Sequence, residues 1–435
     1  MIAAQKDALA TDRRPALLRL RRRLAELFWP ALTGVAFAAV LLLIFAGPAH
    51  AAPASLAGTW RVVLAHPGGG LPFGLEVGKV RGKPAAWLLN PPERLRAEVV
   101  AIEGNRLTLK FPSYNSGLVA TLGADGRLRG EVHVIRRSGP LTLALTGTRD
   151  TYRFVATPKR PSADLNGHWI VTETGGTNPE RGLAQFRVVG GRVSGSVQFP
   201  SGDTRYLAGE ISGDQLSLSH FDGSASGLWL ATLKGGVLTG EQFGAGSKAG
   251  SPWTARRAGT DSVEAVAVER PVAERIAFSF PDRTGKRVSL ADARFKGKVV
   301  VVTLGGAWCP NCHDEARFVG PYATKHAREG LEVIGLQFEY GDDPARAFTQ
   351  IDKFAARYGL AYPMLLAGQP TPESSKAALS SIGGVKVYPS TMFIGRDGML
   401  REVHVGWAGP ATGPLNVKAK RDFDATVTRL LRERA

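Results

Sequence analysis

Residues 298–315 read KVVVVTLGGAWCPNCHDE and contain both cysteines of a 435-residue chain. Lys298 to Leu304 is a nearly unbroken apolar run, the pattern of a strand buried on both faces of a parallel sheet. Cys309 and Cys312 follow it, three positions apart, which is about one helical turn. A thiolate, not a thiol, attacks a disulfide, so a working site must lower the pKa of one cysteine and expose it. Free backbone N–H groups and the dipole at a helix N-terminus stabilise negative charge. That suits Cys309, placed where the strand ends and a helix begins. Cys312, one turn on, can reach Cys309 and resolve a mixed disulfide formed there. Exported proteins usually disperse their cysteines as structural staples. Two cysteines this close cannot close a long loop, and they read as chemistry.

The segments around this stretch share its grammar. Leu331 to Glu339 (LEVIGLQFE) is a second strand. Asp343-Pro344 makes a helix-start pair, Phe348, Ile351, Phe354 and Tyr358 fall on one helical face, and Gly359 stops the helix. Thr391 to Ile394 and Leu400 to Val405 flank the turn Arg396-Asp397-Gly398. Phe423, Val427, Leu430 and Leu431 form the stripe of a closing helix. The order βαβα then ββα predicts an α/β sandwich around a mixed sheet.

Three stretches in this order resemble the TlpA/ResA-type extracytoplasmic branch of the thioredoxin superfamily, a thioredoxin-like fold of the AhpC/TSA-redoxin kind. They are FSFPDRTGKRVSLADARFKGKVVVVTL from Phe278, WCPNCHDE from Trp308 and GVKVYPSTMFIGRDG from Gly384. The resemblance covers residues 275–435. It implies Cys309 as the exposed nucleophile, Cys312 as the resolving thiol and Trp308 as a shield over the site. It implies that Pro389, between Tyr388 and Ser390, is a cis-proline packed on the disulfide, leaving nearby backbone groups free to pair with a substrate strand. Glu315 matches an acidic residue that the family carries three positions after the second cysteine. Positions i and i+3 share a helical face, so Glu315 is a proton acceptor for Cys312 on this reading and a solvated helix carboxylate on the plainer one.

The chain also departs from the pattern. Thr303 stands where cytoplasmic thioredoxins bury an Asp. Arg317 stands where many relatives have a Pro, and the nearby proline is Pro321. Pro310 between the cysteines is shared with oxidising enzymes of the disulfide pathway, but Asn311 after it carries no charge, so the redox direction is not readable from the residues. The resemblance favours reduction of exported proteins bearing cysteines or disulfides, with electrons from a membrane or periplasmic thiol donor. It implies no cofactor and no metal.

Residues 55–257 are written differently. Short alternating runs such as Arg106 to Phe111 (RLTLKF) and Gln215 to Ser219 (QLSLS) are separated by turns at Gly104-Asn105, Asp125-Gly126, Gly213-Asp214 and Gly235-Gly236. Leu56-Ala57-Gly58-Thr59-Trp60 returns as Leu165-Asn166-Gly167-His168-Trp169, and Gly104, Leu107 and Leu109 return as Gly213, Leu216 and Leu218. These are two copies of one β-meander, either two separate barrels or sandwiches or the halves of one shared barrel. The Gly-x-Trp openings resemble a lipocalin-type first strand, with the Trp as a core plug or, alternatively, the floor of a ligand calyx.

The N-terminus reads as an export signal. Basic residues up to Arg23 precede an apolar run from Ala31 to Ala46, and Ala49-His50-Ala51 offers a cleavage site. The competing reading keeps residues 28–46 as a membrane tether. The expected organisation is a leader over 1–51, β repeats over 52–160 and 161–258, a linker over 259–274 without β alternation, and the thioredoxin-like domain over 275–435. The formal charge of +17 falls to +13 beyond residue 51, with 48 basic against 35 acidic residues. No basic patch is tied to a recognition motif, which argues against nucleic acid as a partner.

Other functions compete. A zinc site would need two ligands beyond Cys309 and Cys312, and His313 alone is a poor complement. A peroxiredoxin-like thiol peroxidase, an antioxidant protein, would want a Pro and a Thr or Ser just before its cysteine, where Gly305-Gly306-Ala307-Trp308 stands. An envelope binding protein led by the β repeats is the third class. The preferred expectation is an extracytoplasmic, periplasmic thiol:disulfide oxidoreductase.

Overall fold

The computed structural model describes residues 55–175, 180–259, 267–269 and 275–433. The expected leader with its alternative tether, and most of the expected linker, lie outside the described residues. Among the described residues, no helix is long and apolar enough to cross a membrane.

The repeats form two separate barrels rather than one shared barrel. The first runs as a nine-strand meander from Gly58–His66 to Gly139–Thr148, and its first and last strands pair antiparallel. Glu93–Arg96 pairs with Lys83–Asn90, and Val99–Glu103, two residues later, pairs with Arg106–Phe111. This bent segment brings the sheet round on itself. In the second copy, from Gly167–Glu173 to Ser251–Arg257, an eight-strand ring closes through the pairing of Arg181–Val189 with Arg192–Phe199. Closure leaves the ring no unpaired edges, and each interior is packed with apolar side chains.

The Gly-x-Trp signature has a physical reason that is the same in both copies. Trp60 and Trp169 are fully buried and donate from Nε1 to the carbonyls of Leu56 and Leu165, each at 2.9 Å. An arginine at the end of the last strand of each copy lies over the indole, Arg149 at 3.5 Å and Arg257 at 4.6 Å. The glycines two residues earlier have φ near +105° and +103°, and a Cβ on Gly58 would stand 2.8 Å from Arg149 Nη1. Glycine therefore leaves room for the arginine that covers the tryptophan.

The C-terminal part is a thioredoxin-like α/β sandwich. Its sheet runs in the order Ala267–Glu269, Leu400–Val405, Ser390–Ile394, Val299–Gly305, Leu331–Phe338, Met364–Gly368. The strand Val299–Gly305 is buried throughout. Val300, Val302 and Leu304 enter one core while Val299 and Val301 enter the other, so the apolar run serves both faces. Four helices flank the sheet: α1 (Pro310–His326), α2 (Pro344–Tyr358), α3 (Pro372–Ala378) and α4 (Pro414–Arg432). Asp343 caps α2 by accepting from the Ala345 N–H at 2.9 Å, and Gly359 ends it at φ 62°.

The expectation for the linker needs correction. Ala267–Glu269 is an edge strand, pairing antiparallel with Leu400–Val405. Three residues carry too short an alternation to be seen, and the unpaired backbone of the sheet's edge supplies the order.

Candidate functional site

The site lies where Val299–Gly305 ends and α1 begins. Cys309 is the capping residue of α1, and its sulfur accepts from the Cys312 N–H at 3.2 Å. The two cysteines form a disulfide, with Cα atoms 5.2 Å apart. Pro310 occupies the first helical position, where no N–H is needed. Cys309 Sγ lies 3.6 Å from the Tyr388 carbonyl. The Tyr388–Pro389 bond is cis, and the Pro389 carbonyl accepts from Gly406 N–H at 2.9 Å. The residues far apart in sequence, Cys309 and Tyr388-Pro389, are thus adjacent.

The expected exposure of Cys309 is not found. Cys309 and Cys312 are each only 3% exposed. Trp308, half-buried, donates from Nε1 to Phe338 O at 2.8 Å and packs on Tyr340 and Tyr388, with ring centroids 5.1 and 5.6 Å apart. Asn311 turns away from the sulfurs and donates to Trp407 O at 3.4 Å. The beginning of α1 is further covered by the second barrel, a non-local contact that no sequence pattern announces.

Glu315 is 4% exposed, so it is not a solvated helix carboxylate. It sits one turn beyond Cys312 and accepts from the Thr391 hydroxyl. Burial pushes its carboxyl up to about 8, with the Thr391 hydrogen bond opposing that shift. Thr303, opposite Thr391 in the sheet, is also buried; its hydroxyl lies 3.5 Å from Ile334 O and hydrogen-bonds with Tyr362. Cys312, Glu315, Thr391 and Thr303 therefore bring one carboxyl, two hydroxyls and a sulfur to the inner face of α1.

His313 leaves the cysteines entirely. Its ring nitrogens lie 2.8 Å from Ala307 O and 2.8 Å from the Tyr358 hydroxyl, and burial lowers its pKa to about 3. A neutral imidazole held by these partners is a packing element, which disfavours the zinc reading. Tyr114 of the first barrel stacks on it, with centroids 3.8 Å apart.

Two groups were not anticipated from the sequence. Glu339 follows the strand Leu331–Phe338, accepts from the Ala307 N–H at 2.7 Å, and is raised to about 7 by burial. A carboxylate ending an apolar strand parallel to the active-site strand was the available signal. Arg205 of the second barrel pairs with Asp314 of α1 and donates to Pro310 O at 3.4 Å. No local signal marks it.

Residues 272–403 match the AhpC/TSA family. The chain is similar to the thioredoxin-like protein YneN of Bacillus subtilis, 27% identical over 129 residues, covering 30% of this chain and 68% of that one. It is 28% identical over 130 residues to the thiol:disulfide interchange protein DsbE of Pseudomonas aeruginosa, covering 30% and 63%. It is 23% identical over 133 residues to the thiol-disulfide oxidoreductase ResA of Halalkalibacterium halodurans, covering 31% and 67%. The chain spans about two thirds of the length of these relatives.

Proposed function

The C-terminal part of this chain is a thiol–disulfide oxidoreductase domain of the thioredoxin family, TlpA/ResA-like, and on that premise we propose that the whole protein works outside the cytoplasm, reducing disulfides of exported proteins. The observation that carries this reading is the Cys309–Cys312 disulfide at the start of α1, with a buried, proton-holding Glu315 one turn away.

In the reduced protein, the Cys309 thiolate attacks one sulfur of a substrate disulfide. A mixed disulfide forms, and the other substrate sulfur leaves as a thiolate. The Cys312 thiolate then attacks Cys309 Sγ and expels the second substrate thiolate. Two electrons pass to the substrate, and the Cys309–Cys312 disulfide is left behind. A membrane or periplasmic thiol donor returns two electrons by the same exchange in reverse. Trp308 shields the sulfurs, and Pro389 walls the site on the substrate side.

Glu315 serves both directions. With its carboxyl raised to about 8, it is mostly protonated at neutral pH in the disulfide form. When a donor thiolate attacks Cys309, Cys312 leaves as a thiolate, and Glu315 is placed to give it a proton. During resolution Glu315 takes that proton back, which frees the Cys312 thiolate. The expectation of a proton acceptor thus widens to a donor–acceptor pair of states.

The test in solution compares two variants in reduction of a disulfide substrate by a thiol donor. Cys309→Ser is expected to abolish exchange, and Cys312→Ser to stop after one mixed disulfide per molecule. Steady turnover in Cys309→Ser would contradict the assignment.

A further inference from the structure

The segment PSGDTRY, Pro200 to Tyr206, joins two strands of the second barrel and lies across the redox site. Several of its residues contact segments beside Cys309. A Cβ on Gly202 would stand 3.0 Å from Asn311, inside the cysteine motif. The Pro200 carbonyl and Ser201 press on Gly406, the residue that bonds to Pro389. Asp203 accepts from the Gly409 N–H. Arg205 donates to Pro310 O, between the two cysteines, and pairs with Asp314 on α1.

Arg205 also faces Asp222 of its own barrel at 3.7 Å and Glu93 of the first barrel at 3.6 Å. One guanidinium, 6% exposed, therefore touches both barrels and the redox domain. Its backbone has φ 63°, a left-handed conformation that a long side chain rarely adopts. Such outliers persist where the surroundings hold them. The equivalent position in the first repeat, 109 residues earlier, is Arg96, and there the side chain is exposed. The same residue in two copies of one fold thus has two fates, and only the second copy buries it against α1.

We propose that Pro200–Tyr206 is a specificity-determining wall of the thiol site, latched by Arg205, which admits cysteines carried on extended segments and turns away compact folded disulfide proteins. The backbone beside Pro389 and the dipeptide between the cysteines are the surfaces that a substrate near Cys309 must approach. The loop already covers one flank of them. A narrow, flexible chain fits past such a wall, whereas a globular surface collides with the second barrel. Arg205 acts through Pro310 and Asp314 and does not touch the sulfurs. The inference rests on the oxidoreductase reading above and names the kind of substrate it serves.

The test measures kcat/KM for the full chain on two probes, a linear peptide closed by one disulfide and folded insulin, with dithiothreitol as donor. The wild-type protein is expected to prefer the peptide, and Arg205→Ala to shift the ratio toward insulin at least fivefold. Asp314→Asn cuts the same latch from α1 and is expected to shift it in the same direction, which keeps the test open should Arg205→Ala fail to fold. Arg96→Ala, at the equivalent place in the first barrel, is expected to leave the ratio alone. An unchanged ratio in both latch variants overturns the wall while leaving the oxidoreductase reading intact. Absence of exchange with either probe in the wild-type protein overturns that reading, and the wall with it.

Discussion

Arg205 and Asp314, 109 residues apart, form a buried ion pair that joins the second barrel to the helix carrying the redox cysteines. Both side chains are under 10% exposed. Removing Asp314 takes from the buried guanidinium its closest counter-charge while Asp222 and Glu93 remain at 3.7 and 3.6 Å, so the cost lies toward the lower end of the about 3–5 kcal/mol that follows when a buried pair loses one partner. Asp314→Ala is therefore expected to lower the denaturant midpoint strongly. Replacing Arg205 as well leaves the buried Asp222 and Glu93 without their guanidinium, so the double variant is expected to be no more stable than Asp314→Ala. A double variant more stable than Asp314→Ala would contradict this account of the interface.

Glu315 links stability to pH with a definite sign. Its folded carboxyl, near 8, lies above the ordinary carboxyl value of 4.5, so the folded protein keeps a proton that the unfolded chain has released. Its contribution is fully present below about pH 4.5, declines by about 1.4 kcal/mol per pH unit between the two values, and levels off above pH 8. Glu315→Gln is expected to remove this decline, so that the variant gains on the wild type between pH 5 and pH 8 in denaturant unfolding.

The same substitution should act oppositely on chemistry. A positioned acid or base contributes roughly 10²-fold or more. Reduction of the Cys309–Cys312 disulfide in Glu315→Gln is expected to slow by about that factor at pH 7, and the inflection near pH 8 in the wild-type rate profile should vanish. Stopped-flow tryptophan fluorescence, with Trp308 beside the disulfide, would follow it. An unchanged profile would remove Glu315 from the proton path.

The two Gly-x-Trp motifs should respond alike, because each glycine sits at positive φ beside an arginine. Gly58→Ala and Gly167→Ala are each expected to cost about 1–3 kcal/mol, read as a loss of thermal stability, with the cost at Gly58 the larger. The tighter approach of Arg149, 2.8 Å against 3.3 Å for Arg257, sets that order.

Much of the redox domain was legible because its signals are local. The run Lys298 to Leu304 foretold the central strand, Asp343 and Gly359 bounded α2, and Phe423, Val427 and Leu430 marked the buried stripe of α4. The strand Met364–Gly368 and helix α3 were missed, since five and seven residues offer little periodicity. The Gly58 and Gly167 echoes revealed a duplication, but whether each copy closed alone depended on long-range strand pairing. Glu315 could be placed on the face of Cys312 by counting, yet its protonation follows from burial, which is a tertiary property. The burial of Cys309 was misjudged for the same reason. Arg96 and Arg205 show the limit most clearly, since equivalent residues of a repeat differ in backbone conformation and in what the fold sets against them.

Trapping substrates on Cys309 in the native host tests the central claim most directly. The Cys312→Ala protein lacks the thiol that resolves mixed disulfides, so the account predicts exported proteins linked through Cys309, released by reductant and identified by mass spectrometry. No trapped protein under either oxidising or reducing growth would contradict it.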